Sequence, residues 1–238
     1  IKNQIAIQPK DWNVTKPGQQ LQADTVAHCG DSLSGLFVNS LTVTDLDSAW
    51  TENRALWGKS SARVIEAMRD IEAKLPFTIH GFKSDSGSEF MNYELIAYFR
   101  ENRGANPVQM TRSRPYKKDD NAHIEQKNWT HARQLFGYDR IAREDLVPLM
   151  NDLYRSLWCP LQNHFCPSLK LKTKSRVGTD RVFEDAAANT VMPPAAGRAT
   201  APPDPIWPAS TSVAARATTR RLTRSLRLRS CGELIERV

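Results

Sequence analysis

Apolar and polar positions divide most of the chain into short strands and helices. Residues 1–20 predict an extended lead-in, broken by Pro9, Pro17 and Gly18. Leu21–His28, Gly35–Thr44 and Ala49–Leu56 are β-branched or aromatic in character and separated by turn residues, which predicts a strand meander. Ser60–Lys74 carries Val64, Ile65, Met68, Ile71 and Leu75 at helical spacing, and Pro76 stops the helix this predicts. Phe77–Phe82 predicts a fourth strand. Ser86-Gly87-Ser88-Glu89 fits a capping box that opens a helix through Tyr93, Leu95, Ile96 and Phe99. A short strand near Pro107–Met110 precedes the basic loop TRSRPYKK. A helix from about Asn121 to Phe136, with Asn121 as its N-cap, and another from about Arg143 to Leu157 complete the pattern. Strands first, then strands alternating with helices, predict an α/β chain with helices packed on a mixed sheet.

The pattern changes near residue 181. Twelve lysines precede that point and none follows, while arginine, alanine and proline dominate to the end. The tail over 181–238 has few large apolar residues and predicts disorder. The whole chain has 33 Lys+Arg against 26 Asp+Glu, a formal charge of +7, which favours a polyanionic partner such as nucleic acid. Four scattered cysteines favour a reducing compartment, and no apolar run is long enough to span a membrane. His28 with Cys29, and Cys159 with His164 and Cys166, lack the spacing of zinc sites. Trp50, Trp57, Trp129 and Trp158 are expected to be packing residues rather than base-stacking platforms.

Three carboxylates change the picture. Asp24 lies in the middle of the first predicted strand, where aspartate is disfavoured. Asp85 ends the fourth strand just before a turn, and sites in open α/β sheets form at the carboxyl ends of strands. On a wheel of 100° per residue, Glu125 shares a stripe with Trp129, Ala132 and Phe136. A carboxylate on a buried stripe needs a counter-charge, either a basic side chain or a cation, unless it sits at the stripe's edge and reaches water. Three acids from separate elements that meet at one point would suit a hard divalent cation such as Mg²⁺ or Mn²⁺.

The words QADTVAHCG, SLTVTDLDSAWTENRALW, SDSGSEF, TRSRPYKKDDNAHIEQKNWTHARQLFGYDR and CPSLKLKTKSRVG carry a resemblance over roughly residues 20–180. They resemble the DDE transposases and integrases with a retroviral-integrase-type catalytic core, and more narrowly bacterial insertion-sequence transposases. The resemblance implies a ribonuclease-H-like fold with a central five-stranded mixed sheet flanked by helices. It also implies metal-dependent DNA 3′-end cleavage and strand transfer during transposition, with two Mg²⁺ or Mn²⁺ ions in the active complex. By motif, the implied catalytic and metal-holding triad is Asp24, Asp85 and Glu125. The second gap is slightly longer than in retroviral integrases. Ser86 stands where the family usually has asparagine, which is expected to alter turn geometry and DNA contact more than metal binding.

The implied partners are transposon-end and target DNA, with a homo-oligomer as the active form and no membrane association. The implied location is the bacterial cytoplasm, at the nucleoid. Arg112, Arg114, Lys117 and Lys118, with Lys127, His131 and Arg133 on the following helix, are the expected DNA contacts. The expected organisation is a lead-in over 1–20 without the family's upstream DNA-binding region, a catalytic core over 21–160, a family extension over 161–180, and the tail. The tail departs from the family ending and fits a frameshift product, so the chain would be a catalytic-core fragment. Two other readings share these residues: a ribonuclease-H-like nuclease without strand transfer, and an inactive DNA-binding remnant.

Overall fold

The computed structural model describes residues 2–8, 14–100, 103, 106–115, 117–166, 171–177 and 180–185, and of residues 2, 118, 119, 171–177 and 180–185 only the backbone. Six strands form one sheet in the order β1-β6-β5-β2-β3-β4. They are β1 (Ala6–Ile7), β2 (Leu21–Ala27), β3 (Val38–Asp45), β4 (Thr51–Trp57), β5 (Gly81–Ser84) and β6 (Gln109–Arg112). β2, β3 and β4 form the expected antiparallel meander, and β5 and β6 join it in parallel. The mixed five-stranded sheet is therefore present, and the lead-in adds a sixth strand where Ala6–Ile7 pairs in parallel with Thr111–Arg112.

The fourth expected strand starts later than its apolar run. Gly18 and Gly81 explain the shift. Gly18 has φ +79°, and His80 N donates to its carbonyl at 2.8 Å. A Cβ on Gly81 would come within 2.4 Å of the Gln19 carbonyl. The two backbones thus pass too closely for side chains, and ladder pairing begins only at Leu21–Phe82.

Alternation along β2 and β3 gives the sheet two different faces. Leu21, Ala23, Leu41 and Val43 pack with Phe82 and Met110 under the helices α1 (Ser61–Glu72) and α2 (Tyr93–Arg100). The opposite face is polar where β3 and β4 meet. Asn53 Nδ2 donates to Thr42 Oγ1 at 2.9 Å, Thr44 and Thr51 share a hydroxyl bond, and Ser40 Oγ bonds both His28 Nε2 and Tyr154 Oη. Buried polar groups are tolerated when paired in this way.

Two helical runs cover that face. The first comprises α3 (Ala122–Lys127), a π-helical segment Asn128–Arg133, and α4 (Gln134–Phe136). The second comprises α5 (Leu146–Leu153), a π-helical segment Tyr154–Trp158, and α6 (Cys159–Phe165). The second run also closes the edge of the sheet. Asn151 accepts from Ala55 N and donates to Ala55 O, and Asn163 does the same to Thr51. Side-chain amides thus stand in for a missing strand on β4.

A two-stranded unit, β7 (Leu171–Val177) with β8 (Asp180–Asp185), carries regular structure past the expected boundary at residue 181. The rest of the predicted tail lies outside the described residues. No helix among the described residues is long and apolar enough to cross a membrane.

The buried imidazoles give the fold a pH dependence. Burial lowers His28 to about 4 and His131 to about 3, so both stay neutral in the folded protein. The unfolded chain takes up protons as pH falls through about 6.5, and the fold does not until its lowered values are reached. Each histidine therefore withdraws stability as pH falls below about 6.5. For His28 the withdrawal is up to roughly 3 kcal/mol by pH 4. Asp24 and Asp85, which are raised, act in the opposite sense. The isolating comparison is His28→Gln. Chemical denaturation from pH 7 to 4 should show a shallower loss of stability on lowering pH in the variant, and an unchanged slope would contradict the assignment.

Candidate active site

The site starts from a backbone register. β2 and β5 pair in parallel with Ala23 opposite Ser84, so the next residues, Asp24 and Asp85, emerge side by side on neighbouring strands. Neighbouring strands are about 4.8 Å apart. Burial raises the Asp24 carboxyl to about 6, opposed by its Thr25 and Asn128 hydrogen bonds and reinforced by the negative charges of Asp85 and Glu89. Burial is also the largest cause of a raised Asp85, to which Glu89 adds.

Each acid is held. Asp24 Oδ1 accepts from Thr25 N at 2.7 Å and Oδ2 from Asn128 Nδ2 at 2.8 Å. Asp85 Oδ1 accepts from Gly87 N at 3.0 Å. A side chain on Gly87 would displace the neighbouring carboxylates. A Cβ would lie 2.6 Å from Glu89 Oε2 and 3.0 Å from Asp85 Oδ1. Ser86 Oγ is buried and without a hydrogen-bond partner.

Glu89 is the residue that the sequence pattern assigns to the wrong task. It caps nothing; α2 begins at Tyr93, and Asn92 Oδ1 accepts from Leu95 N at 2.8 Å instead. Glu89 is buried beside the two aspartates, and its Oε1 accepts from Thr25 Oγ1 at 3.0 Å and from Lys59 Nζ at 3.2 Å. Its Oε2 is buried with no hydrogen-bond partner. Only an unexpected carboxylate one turn beyond Asp-Ser-Gly could have hinted at this in the sequence.

Glu125 corrects the helical-wheel expectation. It is exposed, and the buried side of its run is Ile124, His131, Ala132 and Leu135. Trp129, which anchored the wheel, is 49% exposed. A uniform 100° step puts Ile124, His131 and Leu135 within about 40° of one another, so the buried stripe is the one next to the Glu125 stripe and passes through Ile124. Glu125 does sit on the turn preceding Asn128, and residues three apart on a helix have Cβ atoms about 5–6 Å from each other. Among the described residues no three His, Cys, Asp or Glu side chains are grouped so that they could hold a metal ion. The donor chemistry nevertheless fits a hard cation: carboxylate oxygens that raise one another's proton affinity, with the unpaired Glu89 Oε2 beside them.

The basic residues separate into different roles. Arg112 Nε donates to the Ile5 carbonyl at 3.2 Å and fastens the lead-in to the sheet. Arg114 grips buried Asp120 through two guanidinium bonds of 2.9 and 2.7 Å, and these hydrogen bonds, with the charge behind them, hold that carboxyl well below the usual range. The Asp120 carbonyl in turn accepts from Gln22 on β2, which docks the basic loop against the sheet. Lys117 is exposed, and the Lys118 side chain is outside the described residues. Asn121 is not a cap; its Oδ1 accepts from Ser113 Oγ. Lys127 is partly buried, which lowers its ammonium. Arg133 donates to the Ala27 carbonyl at 3.0 Å and stacks on Tyr138. His131, expected to face DNA, is 2% exposed; it lies on the sheet-facing side of the helix, where it bonds Thr130.

No protein-family model matches the chain. It is 36% identical over 168 residues to an uncharacterized protein, y4rM, of Sinorhizobium fredii. The match covers 71% of this chain and 46% of the relative, so the chain spans less than half of that relative's length. Among solved structures, a chain of the simian T-cell lymphotropic virus intasome, in complex with the PP2A regulatory subunit B56 gamma, superposes with a TM-score of 0.52. Its identity is 14%, over 86% of this chain and 64% of that one. The HTLV-2 integrase catalytic core domain in complex with magnesium aligns over 64% of this chain and 90% of its own, with 14% identity and TM-score 0.44. The catalytic core domain of BIV integrase aligns over 63% and 86%, with 12% identity and TM-score 0.41. The chain has the ribonuclease-H-like fold of an integrase catalytic core. At such identities the likeness establishes the fold alone.

The crowding of acids predicts a measurable penalty. Glu89→Gln keeps the shape and removes one of three mutually repelling charges, so it should raise stability in EDTA at pH 7 by about 1 kcal/mol. Its salt bridge to half-exposed Lys59 is worth little by comparison. Urea denaturation checks this, and a destabilised Glu89→Gln would mean that the carboxylates do not repel as argued.

Proposed function

We propose that the chain is the catalytic region of a DDE transposase of the insertion-sequence type. It would cleave DNA at an element's 3′ end and join that end to target DNA. The observation that carries this reading is the Asp24–Asp85 pair, fixed by strand register at the carboxyl end of β5. The ribonuclease-H-like fold is consistent with this reading.

Asp24, Asp85 and Glu125 would hold the divalent ions, two in the active complex. Bound Mg²⁺ or Mn²⁺ supplies Lewis-acid activation of the attacking oxygen and neutralises charge on the phosphate. Asn128 fixes the orientation of Asp24, and the Gly87 amide fixes that of Asp85. Glu125 stands one turn from Asn128, on the helix that packs over β2 and β3. Its approach to the aspartates completes the set. A hydroxyl from water, and then the DNA 3′-hydroxyl, is the nucleophile, so no covalent protein–DNA bond is required. Arg114, Lys117 and Lys118, on the loop that Asp120 docks beside β2, would position the phosphate backbone, with Lys127 and Arg133 adding charge. The active form would be a homo-oligomer on DNA in the bacterial nucleoid.

The test uses the full chain with pre-cut and uncut end oligonucleotides. Mg²⁺-dependent nicking and strand transfer are expected. Asp24→Asn, Asp85→Asn and Glu125→Gln should each reduce both by about 10³-fold or more, because the three act as a unit. Mg²⁺ should also raise the melting temperature of the wild type and not of Asp85→Asn. Cleavage without joining would favour the simple nuclease, and metal-independent DNA binding with no cleavage would favour the inactive remnant.

A further inference from the structure

Trp129 leaves the apolar side of its helix although it is among the largest hydrophobic side chains in the protein. It is 49% exposed, and Tyr138, 61% exposed, lies with its ring centroid 6.3 Å away at an interplanar angle of 43°. The Arg133 guanidinium stacks over the Tyr138 ring at 4.8 Å. Exposed aromatic rings interleaved with a guanidinium form the kind of surface on which nucleobases stack. The position of the patch supplies the second argument. Asn128, the residue before Trp129, points inward and donates to Asp24, while Trp129 points outward. Consecutive helical residues diverge by about 100°, and both belong to the π-helical segment Asn128–Arg133, a kind of segment that recurs at functional sites. Thus the same short segment holds an acid of the site with one residue and presents an aromatic face with the next.

We propose that Trp129, backed by Tyr138 and Arg133, is a stacking platform for an unpaired nucleobase of the DNA strand held at Asp24 and Asp85. The assignment rests on the polynucleotidyl-transfer reading above and adds a substrate feature to it: the strand at the site is recognised partly as single-stranded. Charge complementarity selects this occupant. An apolar protein segment gains nothing from Arg133, whereas a nucleotide offers a π face to Trp129 and a phosphate to the guanidinium. A base extruded or frayed next to the scissile bond exposes that face, and a paired base does not.

Binding in EDTA tests the platform without chemistry. Fluorescence anisotropy would compare the full chain on a blunt duplex, on the same duplex with a short unpaired extension, and on an extension made abasic. The wild type should prefer the base-bearing extension over the abasic one by roughly tenfold, the range of one aromatic–base stack. Trp129→Ala should abolish that preference while leaving blunt-duplex affinity unchanged, Trp129→Phe should keep most of it, and Tyr138→Ala should weaken it. Equal wild-type affinity for base-bearing and abasic extensions would overturn the proposal, whatever the folding of the variants. Preserved preference in Trp129→Ala would overturn it too. So would a wild-type dimer that dissociates in Trp129→Ala with base preference intact, since the patch would then seat a second copy. Absence of Mg²⁺-dependent cleavage by the wild type speaks instead against the transferase reading, because the stacking comparison involves no cleavage.

Discussion

Parallel pairing between β2 and β5 sets two negative charges beside each other. Backbone hydrogen bonds fix the register at Ala23–Ser84, so Asp24 and Asp85 cannot separate without breaking the centre of the sheet. Burial is the main cause that raises Asp24 to about 6, and the negative charges of Asp85 and Glu89 add to it. A fold that only maximised stability would put a small or apolar residue at one of these positions. Both strands keep the acid, and much of the surrounding geometry offsets the result.

The offsets can be followed atom by atom. The Thr25 amide and the Asn128 side chain direct positive ends of dipoles at Asp24, and the Gly87 amide does so at Asp85. Lys59 brings a full charge to Glu89 from the start of α1. The carboxylates of Glu89 and Asp85 occupy the space that a Cβ on Gly87 would need. On the same face of β2 as Asp24, Gln22 secures the Asp120 carbonyl and Arg114 secures its carboxylate, so the basic loop is anchored to the strand that carries Asp24. Acids and basic loop therefore share one rigid support, and a side chain built on a strand is held more accurately than one on a loop.

The sequence discloses the parts of this arrangement that depend on local chemistry. Alternating apolar residues mark β2, β3 and β4 to within a few residues. An aspartate in the middle of β2 stands out because strands disfavour it. The motifs also lead to the ribonuclease-H-like sheet. Properties set by tertiary packing are not disclosed. Glu89 matches a capping box, yet Asn92 takes the cap and burial takes the glutamate. Asn121 sits at a helix start but bonds Ser113. His131 is polar, yet it lies seven residues from Ile124 on the same helical stripe, and that stripe faces the sheet. β1 is invisible because two residues carry no period; only pairing with β6 makes them a strand.

The choice of buried stripe accounts for where Glu125 and Trp129 lie. A helix lying across β2 and β3 with Trp129 and Phe136 as its anchors would press Glu125 onto the aspartates. Instead Ile124, His131 and Leu135, seven and four residues apart on one face, take the buried side, leaving Glu125 in solvent and Trp129 facing out. Electrostatics favours that choice. Another carboxylate brought to Asp24, Asp85 and Glu89 with nothing to neutralise it would add repulsion to groups that are already raised. On the proposed reading, exposure of Glu125 and crowding of the inner acids have one cause: the site holds more negative charge than protein dipoles and one lysine can balance, and a divalent cation is the species whose charge would draw the last carboxylate in.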